Sequence, residues 1–334
     1  MRLEIKEVYK KQIMKTTLTD NSLCVYPLCD GAEPELIYKY IGELRDTGVD
    51  YIELDFRTLI KLKKLPRGVK YIFRMVDPMF LPMTEFYEFS YVVLTYNDLK
   101  EKIGTDVPVL FEIPYLKNSV GKALRFAESR VDGKISALRI RSSFEYCKPS
   151  EIKSVYKKLC AVAAPLPVDI CPLNEYKTAL DTALKFTAAD VSSLTLAAGL
   201  PMKYCSLEEY IFSFMSVFDG LPPKLNINSL GGVSVFRSRI FQTGTPALPT
   251  LLNVIDHDIR CLKNADTGES VDMRVKLKNT EFLNSGFISV LEKMADYENI
   301  PDDVFENISE AIKHYDSSIY NDELLRKKRR GLLN

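Results

Sequence analysis

The sequence predicts an α/β fold, a (β/α)8 TIM barrel with a small, mostly helical C-terminal appendage. Three observations predict it. Eight short apolar runs recur along the first part of the chain, each largely continuous in hydrophobicity, as strands buried on both faces are. Stretches with helical spacing lie between them. No Gly-x-Gly-x-x-Gly follows the first run, which ranks a barrel above an open doubly wound sheet. The 334 residues divide into a barrel domain, 1–240, and a linker with a helical subdomain, 241–334.

The strands are read at residues 14–18, 51–55, 71–75, 91–95, 109–113, 137–141, 167–170 and 191–196. Between the first two, residues 33–47 carry Leu36, Ile37, Tyr40, Ile41 and Leu44 as one apolar stripe. Asp30 and Glu33 suit the positive end of that helix, and Gly48 ends it. Residues 150–160 follow Pro149 and align Ile152, Val155, Tyr156 and Leu159; residues 173–186 and 207–218 behave likewise. Past residue 240, Thr243-Gly-Thr-Pro-Ala-Leu-Pro249 is a run of turn formers. Helices are expected at 284–297 and 302–315, and the basic cluster Arg326 to Arg330 reads as a solvated tail.

Hydrophobic residues make up 46% and charged residues 27%, an ordinary globular composition. Lys+Arg and Asp+Glu both number 45, so no global field selects nucleic acid or an anionic membrane as partner. No apolar run approaches the ~18 residues of a membrane span, and the N-terminus lacks the apolar core of a signal peptide. Seven scattered Cys form no Cys-x-x-Cys pair, so reduced thiols in a cytoplasm are the expectation.

Chemistry in a barrel belongs at the C-terminal ends of the strands. Those ends are Thr19-Asp20, Glu53-Leu-Asp55, Asn97-Asp98, Glu112, Ser142-Ser143, Asp169-Ile-Cys171 and the stretch from Thr195 to Tyr204. Asp20 would serve as a ligand, cap a loop or pair with a base. Glu53 and Glu112 would bind a polar ligand or pair with arginines in the mouth. Arg139 and Arg141, two apart on one strand, point the same way: an anion site if inward, surface charge if outward. No Lys occupies a strand C-terminus, against a Schiff-base aldolase.

Collected in order, these motifs resemble the metal-dependent acyl-CoA condensing and lyase barrels: homocitrate synthase, 2-isopropylmalate synthase and the hydroxymethylglutaryl-CoA lyases. Thr16-Thr-Leu-Thr-Asp20 is similar to their Thr-Thr-Leu-Arg-Asp, and Gly48-Val-Asp-Tyr-Ile-Glu53 to Gly-Val-Asp-x-Ile-Glu. Ser142-Ser143 falls on their Asp-Thr, and Gly199 with Leu207-Glu-Glu209 on the turn after the eighth strand. His257, Leu262-Lys-Asn264 and Thr267, then Asn284-Ser-Gly286, resemble the synthase appendage.

The resemblance implies condensation of an acyl-CoA, acetyl-CoA as the type case, with a 2-oxo acid on a divalent metal (Zn, Mn or Mg). It implies metal ligands at Asp20, Asp169 and Cys171, where the family has an Asp and a His-x-His pair, and Tyr204 at the place of an Asn ligand. The family's Arg before the first Asp is Thr19 here. Glu53, Glu112, Ser143 and Arg141 fall to substrate binding, and His257 to proton transfer, the latter in trans if the chain forms a homodimer. The altered ligand set carries a second expectation, a non-catalytic relative that binds a carboxylate or partners an active paralogue.

Overall fold

A computed structural model of the chain describes residues 16–115, 119–144, 151–175, 178–199, 203–218, 221, 224–242, 288–294, 296–297 and 306. Eight parallel strands close into a barrel: β1 Thr17–Asp20, β2 Tyr51–Leu54, β3 Lys70–Arg74, β4 Tyr91–Thr95, β5 Val109–Ile113, β6 Ile135–Ser142, β7 Val168–Pro172 and β8 Ser193–Leu196. Each pairs with its sequence neighbours, and β1 closes the ring by pairing with both β8 and β2. The strands expected at 91–95 and 109–113 have the observed ends. The first begins at Thr17 and runs on to Asp20, whereas Met14 and Lys15 lie outside the described residues.

The helices are α1 Pro34–Thr47, α2 Val120–Arg130, α3 Ile152–Ala163, α4 Ala179–Ala188, α5 Leu207–Phe218 and α6 Ser229–Ile240. In α1 the apolar stripe faces the barrel, and Pro34 opens the helix where a missing N–H costs nothing. Gly48 closes it at φ 96°, and a Cβ there would lie 1.9 Å from the Lys224 carbonyl oxygen, so only glycine fits. The helix expected at 173–186 begins later, at Ala179, because β7 stays extended through Pro172 and Leu173 then bridges Tyr204.

Three crossovers carry no multi-turn α-helix. After β2 there is one turn, Phe56–Leu59; after β3 a 3-10 segment, Pro78–Glu85; after β4 a three-residue turn, Asp98–Lys100. Pro66 and Gly68 in the first connection and Pro78 and Pro82 in the second explain this, since proline removes a helical donor and glycine favours turns. The two connections meet where Phe56 and Phe80 stack at 3.9 Å, and Ile60, Met79 and Phe86 stay exposed on that flank.

The main apolar core lies between the barrel and its cover. It takes the outward residues of the strands, among them Ile52, Phe73, Val92, Phe111, Leu138, Ile170 and Leu194. A second, smaller cluster of Ile72, Val93, Leu110 and Ala137, flanked by Tyr51 and Tyr91, fills the lower barrel interior. Above it the interior turns ionic. In the C-terminal region, helix 288–294 packs on α6, and the Tyr297 hydroxyl donates to Glu43 of α1 at 2.6 Å. The expected linker at 243–249 lies outside the described residues.

Candidate functional site

Parallel register fixes which residues look inward, because paired residues share a face and neighbours along a strand alternate. Glu112 pairs with Arg139, Arg139 with Asp169, Asp169 with Ser193, and Arg141 with Cys171. Thr195 pairs with Thr19, Thr19 with Tyr51, and Glu53 with Ile72. Glu53, Arg74, Glu112, Arg139, Arg141, Asp169, Cys171, Thr195 and Thr19 therefore share the upper interior.

Arg139 is fully buried at its centre. Its Nε donates to Asp169 at 2.5 Å, and its Nη1 pairs with Glu53 and reaches Glu112 at 3.5 Å. Arg74 closes a ring: its Nε donates to Glu53 and its Nη2 to Glu112 at 2.5 Å. Arg141 adds a contact from Nη1 to Glu112 at 3.2 Å. Thr195 and Ser193 hydroxyls donate to Asp169 at 2.6 and 2.9 Å. Three guanidiniums thus face three carboxylates, and the set is electrically balanced.

Burial alone would raise the Glu112 carboxyl, but Arg74, Arg139 and Arg141 overcome it and hold the group down at about 2. Glu53 is likewise lowered, its burial outweighed by Arg139 and Arg74. Burial pushes the Cys171 thiol well up, so the residue is a neutral thiol rather than a nucleophile. Tyr204 is nearly buried, its phenol is raised by burial, and the Arg141 guanidinium lies 5.3 Å over its ring. Arg141 is the mouth-facing member of the set, with 27% of its side chain exposed. Among the described residues its Nε and the Nη2 of Arg139 are buried without a hydrogen-bond partner.

Asp20 does not join this group. It pairs with Leu196 and Ile52, so it points outward, between the barrel wall and the helices. There it accepts from the Ser22 amide at 3.1 Å, the Ser22 hydroxyl at 2.5 Å and the Ala198 amide at 2.6 Å; Tyr40 meets the Ser22 hydroxyl at 2.7 Å. Burial pushes its carboxyl up to about 7, against these donors and with the nearby Glu208 adding to the rise. The residue ties the loop after β1 to the loop after β8. Ser143 is buried just past β6, before Phe144 with its positive φ of 54°. His257 lies outside the described residues.

The donor set does not fit the divalent metal that the resemblance implies. Asp20 is turned away and already accepts three hydrogen bonds, and Asp169 is held by Arg139 and two hydroxyls. Among the described residues no group of three or more His, Cys, Asp or Glu is arranged to hold a metal ion. Two site residues escaped sequence reasoning: Arg74 and Ser193. The signal for Arg74 was present, a lone cation inside the apolar run Tyr71-Ile-Phe-Arg-Met75.

Comparison with solved structures places the fold. The HMG-CoA lyase of Bacillus subtilis superposes with a TM-score of 0.54 at 14% identity, over 70% of this chain and 95% of that one. The hydroxymethylglutaryl-CoA lyase of Pseudomonas aeruginosa gives 0.52 at 10% identity, over 72% and 98%. An HMG-CoA lyase from Acinetobacter baumannii, solved with coenzyme A and 3-methylmalate, gives 0.50 at 10%, over 68% and 90%. The chain has the HMG-CoA lyase barrel fold. At the level of sequence, no family model and no curated protein matches it. No helix among the described residues is long and apolar enough to cross a membrane.

Proposed function

We propose that the mouth of this HMG-CoA lyase-like barrel binds a small carboxylic acid on Arg141, a 2-oxo acid on the strength of the motif resemblance. One observation carries the reading: Arg141 reaches the mouth with only Nη1 committed, to Glu112, while its Nε is buried and unpartnered. A carboxylate that meets Nη2 at the mouth, and reaches Nε once the side chains covering it shift, completes the hydrogen bonding, as bidentate arginine pairing does. Tyr204 lies against the guanidinium, 5.3 Å from its ring centroid to Cζ, and its face favours the cation there.

Condensation of the acid with an acyl-CoA, acetyl-CoA foremost, is the finer reading. It needs a base of near-neutral pKa beside the substrate. Glu53 and Glu112 are held too acidic, and Cys171 and Tyr204 keep their protons. Asp20 has a suitable value but faces outward. The reaction therefore hangs on His257. A non-catalytic carboxylate binder or paralogue partner is the second reading, favoured by the pairing of Glu53, Glu112 and Asp169 with arginine.

Calorimetric titration with pyruvate and 2-oxoglutarate tests the binding. Arg141→Ala and Arg141→Lys should each weaken it about tenfold or more, since lysine keeps the charge and loses the fork. Equal affinities in the wild type and both variants would remove the proposal. Release of free CoA from acetyl-CoA in the presence of a bound 2-oxo acid, lost in His257→Ala, separates the condensing reading from the non-catalytic one.

A further inference from the structure

Three carboxylates from three separate strands, Glu53 on β2, Glu112 on β5 and Asp169 on β7, meet on one guanidinium. Acids gathered this way would repel each other and, buried, would lack solvation unless a cation sits among them. Oxygen ligands from several strands around a hard cation are the usual solution in metal-dependent sites. Here the cation is covalently part of β6. Arg74 and Arg141 complete its charge balance, and adding a divalent ion to the balanced set would leave two positive charges uncompensated.

We propose that Arg139 is the built-in cation of this barrel: it holds Glu53, Glu112 and Asp169 together in the bridging place of a bound metal ion, with Arg74 and Arg141 supplying the rest of the charge, so the mouth assembles and takes its ligand without metal. The assembly half stands on the ion-pair geometry alone; the ligand half rests on the carboxylate reading above. Removing Arg139 leaves three carboxylates facing two guanidiniums, an excess of negative charge at a point lined by oxygen ligands from separate strands. That residual site is the signature to look for.

The experiment titrates the full chain with Mn2+, Zn2+ and Mg2+, reading metal uptake by elemental analysis and thermal midpoint by calorimetry, with pyruvate as the ligand probe. The wild type should retain no stoichiometric metal and show no midpoint shift, and its pyruvate affinity in EDTA and in Mn2+ should agree within about twofold. Arg139→Gln should take up one Mn2+ per chain with a raised midpoint, and Arg139→Gln combined with Glu53→Gln should lose that uptake. Arg139→Lys, which keeps the charge, should behave as the wild type.

Stoichiometric metal in the wild type, abolished by Glu112→Gln, would overturn the proposal. So would an Arg139→Gln protein that binds Mn2+ no better than the wild type, or that stays unfolded at every Mn2+ concentration, because an ion able to replace the guanidinium restores the fold. Failure of pyruvate to bind under any condition would strike the carboxylate reading, and the metal titrations would still decide this one.

Discussion

Glu112→Gln isolates the electrostatics of the mouth with almost no change of shape. Glu112 is 3% exposed and meets Arg74, Arg139 and Arg141. A carboxyl held at about 2 instead of 4.5 contributes roughly 3 kcal/mol at neutral pH, at about 1.4 kcal/mol per pH unit. Breaking a buried ion pair by removing one partner costs about 3–5 kcal/mol, so two independent routes agree. The sign follows from the depressed value. The contribution is complete above the unfolded-state value and is lost as pH falls through about 2. Urea unfolding of both proteins should therefore give a stability gap of about 3 kcal/mol at pH 7, shrinking to about 1.4 kcal/mol at pH 3. A gap below about 1 kcal/mol at pH 7, or one of equal size at both pH values, would refute the network as a stabilising unit.

Asp20 gives the opposite slope: with its carboxyl pushed up to about 7, its contribution is complete in acid and is lost as pH rises through that value. The wild-type thermal midpoint should drop more between pH 5 and pH 8 than that of Asp20→Asn, and parallel profiles would defeat the assignment. On α6, a Cβ at Gly231 would lie 2.4 Å from the Val290 carbonyl oxygen, whereas one at Gly232 would meet the flexible Glu43 side chain at 2.4 Å. Gly231→Ala should cost about 1–3 kcal/mol and speed amide exchange across helix 288–294, with Gly232→Ala milder, since a side chain can yield where backbone cannot; the reverse order would contradict the packing.

The strands were legible because burial on both faces makes each a continuous apolar run, and the turn formers between them cut the runs cleanly. That same double burial hid which side chains look inward. Thr17-Leu-Thr-Asp20 carries polar residues on both faces, so a barrel motif could place Asp20 at the mouth while the register turns it to the outer wall. For Arg139 and Arg141 the alternation announced a shared face and left the choice of face to the closed sheet. Helix α6 escaped notice for a related reason: Ser229, Gly231, Gly232, Ser234 and Arg237 are all buried, so the helix carries no apolar stripe. The missing helices beside β2 and β3 were written in Pro66, Gly68, Pro78 and Pro82.

The charge balance of the mouth constrains how a ligand binds there. A carboxylate competing for Nη1 of Arg141 would have to displace Glu112, whereas Nη2, unpaired among the described residues, takes it without breaking an existing pair. Glu53 and Glu112 are lowered, Arg74, Arg139 and Arg141 are raised, and Cys171 and Tyr204 are raised, so none of these groups changes charge between pH 5 and 8. Pyruvate affinity measured by calorimetry should accordingly be flat across that range. Histidine is the side chain whose ordinary value falls inside it. A fall in affinity centred near pH 6.5 that disappears in His257→Ala would therefore bring the C-terminal region to the ligand, and with it the base that the condensing reaction requires. A sloped profile that survives in both His257→Ala and Asp20→Asn would instead mean that a group of the network titrates, and the ion-pair account of the mouth would fail.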